Sequence, residues 1–481
     1  MQGLFQKYDI EDILRENQDL NIDHKDYNIN VTAQNGSFLK KEKLIEEMNL
    51  HEGEGKRTSL YFHVPLCDYI CKFCNYVKTK IPDKKEKSEE VLDLWTKALI
   101  EESNRYLKKF PWIKKTKIES LYFGGGTAAL LTIEQLGRLL DHVRKNYQLD
   151  PHCEISLEGN PDNFIDGKIQ SAIDLGFNRF SVGIQSLQDK VLSFTGRNHT
   201  VAMSLESIRE LKKTGLPFNI DYMFGLPFQT PEKVEKDMEI LLKEEVPTIT
   251  IYRLRNADRQ SMGIGNKSAW NNEKLRDSLE KKGLFPNLKE TYKMRNKIVG
   301  KFMKKGYFPS PCGWWSKQDA YQTKGNIPQV SKNKWEQYDS MIAFGPGAYG
   351  WLTGESTEVV QTHNDLDIKN YLKTINETDK LPLSFGRKLT GYASIGSRLG
   401  FNFKSNQAID LSKYEKRFGF SFLNDSVIGP VFEELLNKGF LYWERPNVLR
   451  PTMKGEALHE EIISLYLHQK IGGIEENVCK K

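Results

Sequence analysis

A chain of 481 residues with 38% hydrophobic and 28% charged side chains has the make-up of a globular protein, with roughly two to four domains or one large α/β domain with additions. Its 70 basic and 64 acidic residues leave a net charge of +6 with no long basic tract, which argues against a nucleic-acid partner, and no apolar run of about 18 residues argues against a membrane span. The opening stretch MQGLFQKYDIEDILRENQDL lacks an apolar signal core, so a cytoplasmic protein is expected, in which six cysteines do not make a disulfide framework.

In chain order, residues 1–56 read as a polar, irregular N-terminal extension. Strands are then predicted at 59–64 (SLYFHV), 119–123 (ESLYF), 153–159 (CEISLEG), 179–186 (RFSVGIQS), 218–225 (FNIDYMFG) and 248–255 (TITIYRLR). The first helix, 89–107, places Val91, Leu94, Trp95, Ala98 and Leu99 on one face. Thr132 and Gln135 form a capping box; Thr230 is an N-cap, with Pro231 at the first helical position. Strand and helix alternating through 57–258 predict parallel pairing with right-handed crossovers. The result is a partial (β/α) barrel or a doubly wound sheet, with its site at the C-terminal ends of the strands. The cysteine loop, the GGGT loop, Glu158, Gln185 and GLPFQT all follow strand ends and so share one rim. Residues 259–384 read as a core extension, with a helix over 275–305 and the turn-rich, aromatic stretches GYFPSPCGWWSK and SMIAFGPGAYGWL. From 385 to 481, helices followed by a short hairpin have the layout of a winged-helix-like module.

The chemistry concentrates in FHVPLCDYICKFCNY, where Cys67, Cys71 and Cys74 stand in a C-x3-C-x2-C pattern. Three thiolates suit a [4Fe–4S] cluster in which one iron stays open to a small molecule. Zinc would need a fourth ligand, and His63 reads as pointing away from the loop. Cys153 and Cys312 read as packing residues, and Cys479 lies in a polar tail.

With Phe73 before the third cysteine, the pattern resembles the radical S-adenosylmethionine (SAM) superfamily. More narrowly, SLYFHVPLC, CKFCNY, FGGGTAALL, EISLEGNP, GFNRFSVGIQS, GRNH and NIDYMFGLPFQT resemble the oxygen-independent coproporphyrinogen III oxidase group, with a looser match in the C-terminal module. The resemblance implies an α/β fold, a partial (β/α)6 barrel with an α-rich C-terminal module. It also implies a [4Fe–4S] cluster on Cys67, Cys71 and Cys74, a small-molecule substrate and a flavodoxin- or ferredoxin-type electron donor. Tyr61 and Phe73 would lie near SAM, and Gly124, Gly125, Gly126 and Thr127 would bring backbone N–H groups to its amino-acid portion. Glu158 would meet the SAM ammonium, or Arg179 in a salt bridge; Gln185 and Arg197 would bind SAM polar groups, and Asp221 the ribose hydroxyls. A second SAM, which some members bind, would use Arg253 and Arg255, while Trp314 and Trp315 line a flat substrate pocket or pack in the core.

Tyr76 stands where the oxidases of this group carry a further cysteine, and the haem-trafficking relatives read CDF where this chain reads CNY. CNYV looks more like the methylating and cyclopropane-forming relatives. The expectation is therefore a radical SAM methyltransferase or cyclopropane synthase that uses two SAM molecules. Oxidative decarboxylation of coproporphyrinogen III and a non-catalytic haem-binding role are the alternatives.

Overall fold

Polar and apolar side chains alternate along each β-run of the core, and the alternation decides what each face of the sheet carries. The computed structural model describes residues 9–20, 35–53, 56–74, 76–254, 278, 280–310, 314–317, 328–330, 339–353, 357–404 and 408–474. After a short strand β1 (Ser37–Lys40), the core strands are β2 (Arg57–Val64), β3 (Lys117–Gly125), β4 (Gln148–Gly159), β5 (Arg179–Gln185), β6 (Phe218–Phe224) and β7 (Thr248–Arg253). β2 to β7 pair parallel, each with the next in sequence. Every crossover therefore moves the same way round, as in a barrel, without the reversal of a doubly wound sheet. The main crossover helices are α1 (Lys85–Lys109), α2 (Ile133–Asn146), α3 (Lys168–Leu175), α4 (Val201–Thr214) and α5 (Pro231–Lys243). The expected capping box of Thr132 and Gln135 opens α2, and Thr230 caps α5 ahead of Pro231.

Leu60, Phe62, Leu121, Phe123, Leu157, Phe180 and Val182 are fully buried in the main core. The alternate positions are polar: Ser59, Tyr61 and His63 on β2, Ser120 and Tyr122 on β3, Glu158 on β4, Arg179 and Ser181 on β5, Asn219 and Asp221 on β6. They bond across the strands. Ser120 Oγ donates to Ser59 Oγ (2.8 Å), Asn219 Nδ2 to Ser181 Oγ (3.0 Å) and Arg179 to Asn219 Oδ1 (2.7 Å). The inner face is thus a polar floor, as the interior of a ligand-binding barrel requires.

Beyond the core, α6 (Leu288–Lys304) precedes β8 (Tyr307–Ser310) and β9 (Trp314–Lys317), and β9 pairs antiparallel with β7. On the opposite side β10 (Ser340–Phe344) lies parallel to β2. β11 (Tyr349–Leu352), β12 (Val359–Asn364) and β13 (Leu383–Leu389) then run antiparallel outward, and β1 closes the edge on β13. Among the described residues this makes one sheet of 13 strands. A separate core holds α8 (Gly391–Lys404), α9 (Leu411–Phe418), α10 (Ile428–Asn437) and a small sheet of β14 (Ile409–Asp410), β15 (Leu441–Arg445) and β16 (Val448–Pro451). α7 (Ile368–Glu377) sits between β12 and β13. No helix among the described residues is long and apolar enough to cross a membrane.

Several expectations are corrected. The N-terminal stretch is not irregular throughout: it holds helices Ile10–Glu16 and Lys41–Asn49 and strand β1. The aromatic stretches read as turns carry strands β8 to β11, short elements whose β-branched and aromatic content outweighs their glycines. On α1 the buried stripe is Leu92, Trp95, Leu99 and Tyr106, while Leu94 is 37% exposed. Glu102 lies in that stripe and hides it: the carboxylate accepts from the Gly345 N–H (2.7 Å), Asn364 Nδ2 (2.6 Å) and Tyr371 OH (2.5 Å). Trp315 is fully buried against Phe302, with ring centroids 5.3 Å apart, and belongs to the core. Nothing is described for the Trp314 side chain. Cys153 is buried as expected; Cys312 and Cys479 lie outside the described residues.

Candidate cluster and cofactor site

The cysteine loop leaves β2 at its C-terminal end. It is tied at the base by a two-residue pairing of Leu66–Cys67 with Thr79–Lys80, and by hydrogen bonds from Thr79 N to the Pro65 carbonyl (2.7 Å) and Ile81 N to that of Cys67 (2.8 Å). Cys74 N donates to the Cys71 carbonyl (3.2 Å), and the Lys78 ammonium donates to the carbonyls of Cys74 (3.0 Å) and Tyr76 (3.2 Å). The buried Cys67 Sγ accepts from Thr127 Oγ1 at 3.7 Å, and Cys71 Sγ accepts from an Arg197 guanidinium nitrogen at 3.4 Å. Burial pushes the Cys67 thiol up to about 12, and the other two thiols add to the rise. Burial raises Cys74 as well.

Among the described residues no three His, Cys, Asp or Glu side chains converge on a single metal ion. The three thiols are nevertheless near enough for Cys71 and Cys74 to oppose ionisation of Cys67, and such soft donors spread over one loop suit a multi-iron cluster better than one hard cation. Around them, Asp68 Oδ1, Tyr69 OH, Asp162 Oδ1 and Arg197 Nε are buried with no hydrogen-bond partner among the described residues. Unmet polar atoms gathered in one place are costly unless a ligand satisfies them, so the residues present fit a bound polar cofactor. His63 does not point away from the loop, as its strand position suggests. Its Nε2 lies 2.7 Å from the Val77 carbonyl and its Nδ1 3.1 Å from the Tyr61 hydroxyl, so both ring nitrogens are occupied.

Gly124 and Gly125 end β3 rather than forming a free loop. A Cβ at Gly124 would stand 2.5 Å from Glu158 Oε2, and one at Gly125, where φ is +111°, would strike the His63 ring at 2.6 Å. Gly126 follows, its N–H donating to the Val64 carbonyl at 2.8 Å. Glu158 accepts from Tyr122 OH at 3.2 Å; burial, then the nearby Asp221, push it up to about 8. Asp221 accepts from Asn219 Nδ2 at 3.1 Å, and burial pushes it up to about 6. Arg179 is drawn to Asn219, and its charge is the least of the influences on Glu158. Gln185 is held at φ +62° where β5 is bulged, a backbone state that side chains other than glycine rarely adopt. Arg197 also donates to Asn160 Oδ1 (2.9 Å) and the Gly183 carbonyl and lies over the Tyr69 ring. Phe73 is partly buried against the separate apolar cluster of Val191, Met223, Leu226, Leu254 and Phe285.

Sequence reasoning missed Asn160 and Tyr69. Asn160 joins Thr127 (3.3 Å) to Arg197 and so links the two side chains that reach the cysteine sulfurs. It stands two residues after Glu158, on the same rim, which was the available signal. Arg253 is not free for a second SAM. It is buried in an ion pair with Glu461 (2.6 Å) and donates to Tyr292 OH (2.7 Å). Arg255 lies outside the described residues.

Residues 61–241, most of the parallel core, match the Radical SAM superfamily, whose cofactors are a [4Fe–4S] cluster and SAM. The chain is 26% identical over 413 residues to the heme chaperone HemW of Lactococcus lactis, covering 86% of this chain and 98% of that one. It is 25% identical over 415 residues to the heme chaperone HemW of Bacillus subtilis (85% and 99%). The anaerobilin synthase of Escherichia coli O157:H7 is 29% identical over 221 residues, covering 45% of this chain and 48% of that one. The fold superposes on coproporphyrinogen III oxidase (HemN) from Escherichia coli with a TM-score of 0.73 at 18% identity, over 92% of this chain and 99% of that one.

The expected methyltransferase or cyclopropane synthase is overturned. The relatives that align end to end are heme chaperones, and of the two arginines assigned to a second SAM, Arg253 is committed to Glu461. Tyr76, whose CNY context prompted that reading, is 59% exposed and turned outward; one exposed residue is weak evidence of a reaction class.

Proposed function

We propose that the protein binds and hands on haem, carrying a [4Fe–4S] cluster and SAM without using them for C-alkylation. The observation that supports this is the length of the similarity: it spans 86% of this chain and 98% of the heme chaperone HemW of Lactococcus lactis. In this reading Cys67, Cys71 and Cys74 would hold the cluster, which would supply a binding point for the amino-acid end of SAM. Glu158 and Asp221 share an enclosed space in which burial and mutual repulsion disfavour two negative charges; positive charge brought beside them lets both ionise. Tyr122 and Asn219 fix the carboxylates in place. Arg197 Nε, buried and without a partner among the described residues, would donate to the carboxylate of SAM.

Anaerobically reconstituted protein, given SAM, dithionite and ferric haem, tests the reading. Haem uptake approaching one equivalent, with no accumulation of 5′-deoxyadenosine, is expected. Repeated turnover of SAM to 5′-deoxyadenosine, or failure to take up haem, would refute it.

A further inference from the structure

The inner face of the barrel does not stop at β2. Strand register carries it outward through the antiparallel strands: Tyr61 lies opposite Ala343, Tyr349 opposite His363, and His363 opposite Phe385. Tyr61, Ala343 and Tyr349 share one apolar cluster, so the row is continuous with the polar floor that holds Glu158. These positions sit toward the C-terminal end of β2, on the rim where the cysteine loop begins. Beyond Tyr349 the rings stack. Tyr349 and His363 have centroids 4.9 Å apart and are tilted by 54°, while His363 and Phe385 stack at 4.5 Å and 12°, and Phe385 and Phe38 at 5.6 Å and 18°. His363 is three strands from Tyr61, roughly 14 Å at the usual strand spacing. Between the tilted Tyr349 ring and the stacked Phe385 ring, His363 Nε2 is buried with no hydrogen-bond partner among the described residues.

A stack of rings filled for packing alone has no need of an imidazole whose polar nitrogen stays unmet, and leaving it so costs free energy. The same feature is what a metal-bearing planar ligand requires: flat apolar surface and one neutral nitrogen. Burial, with Arg387 nearby, depresses the His363 pKa to about 4, which keeps the ring in its ligating form. The Arg387 guanidinium lies over the Phe38 ring, 5.7 Å from its centroid, and supplies positive charge beside the row. A tetrapyrrole with carboxylate side chains would bring iron for the imidazole, a planar apolar ring for the aromatic row and negative charge for Arg387.

We propose that the row Tyr349–His363–Phe385 is the docking wall for haem, with His363 Nε2 as a ligand to its iron; this rests on the haem-binding reading above. The test uses the full chain titrated with ferric haem and followed by its absorption and electron paramagnetic resonance spectra. His363→Phe keeps the stack and removes the nitrogen; His363→Met, a second variant, substitutes a thioether. Wild type is expected to show an imidazole-ligated spectrum. His363→Phe is expected to lose that spectrum and bind haem at least about tenfold more weakly, and His363→Met to give a different ligand-field spectrum. If both variants bind haem with the wild-type spectrum and affinity, the site is overturned while haem binding elsewhere on the protein stands. If wild type takes up no haem, the functional reading fails with it.

Discussion

Single residues show most clearly where local sequence speaks and where it does not. The cysteine motif was legible because its three members lie within one loop, where spacing alone sets their proximity. Asn160 was not, because its importance comes from joining Thr127 to Arg197, residues far apart in the chain. His468 is a second silent case: it is 2% exposed, and both ring nitrogens lack a partner among the described residues. Burial lowers its pKa to about 4. The unfolded chain therefore binds a proton below about pH 6.5 that the folded chain refuses until about pH 4. Stability linked to His468 is full above that window and is lost as pH falls through it, on the order of 3 kcal/mol when complete. Glu102, Glu158 and Asp221, all raised, change stability in the opposite sense, so wild-type melting alone mixes the two. The clean measurement compares wild type with His468→Leu. The melting temperature of the variant should rise relative to wild type between pH 6.5 and 4, and a constant difference would show that the imidazole does not titrate there.

At the scale of elements, the six parallel strands followed from alternation between β-runs and amphipathic stretches, while their order, left open between a barrel and a doubly wound sheet, did not. The polar inner face was equally present in the sequence, as SLYFHV, EISLE, RFSVG and FNID each place polar side chains at every second position. The antiparallel strands were missed because they are four to seven residues long and gain their place by pairing with distant strands. What fastens the C-terminal module was also invisible. Arg253 at the end of β7 pairs with Glu461, and Arg295 on α6 with Glu456, all four side chains nearly buried. Removing one member of such a pair strands the other charge in the interior. Arg253→Met is therefore expected to cost about 3–5 kcal/mol, read as a lowered midpoint in denaturant unfolding. Adding Glu461→Leu to it should restore most of the loss. If the double variant is as unstable as the single, packing rather than the stranded charge dominates.

For the whole molecule, the sheet grows outward from both flanks of the core, and its two margins are finished differently. On one side β8 carries Pro309, which has no N–H to offer a further strand. On the other, β1 pairs along Ser37 to Lys40 with β13. Four N-terminal residues thus act as a selvedge for the sheet. A chain begun at Lys41 would keep the buried Leu44 and Met48 of the following helix but leave β13 with open donors and acceptors, an invitation to strand exchange between copies. Such a trimmed protein should self-associate with rising concentration in light scattering while the intact chain does not; equal scattering from both would mean the hem can be cut without fraying.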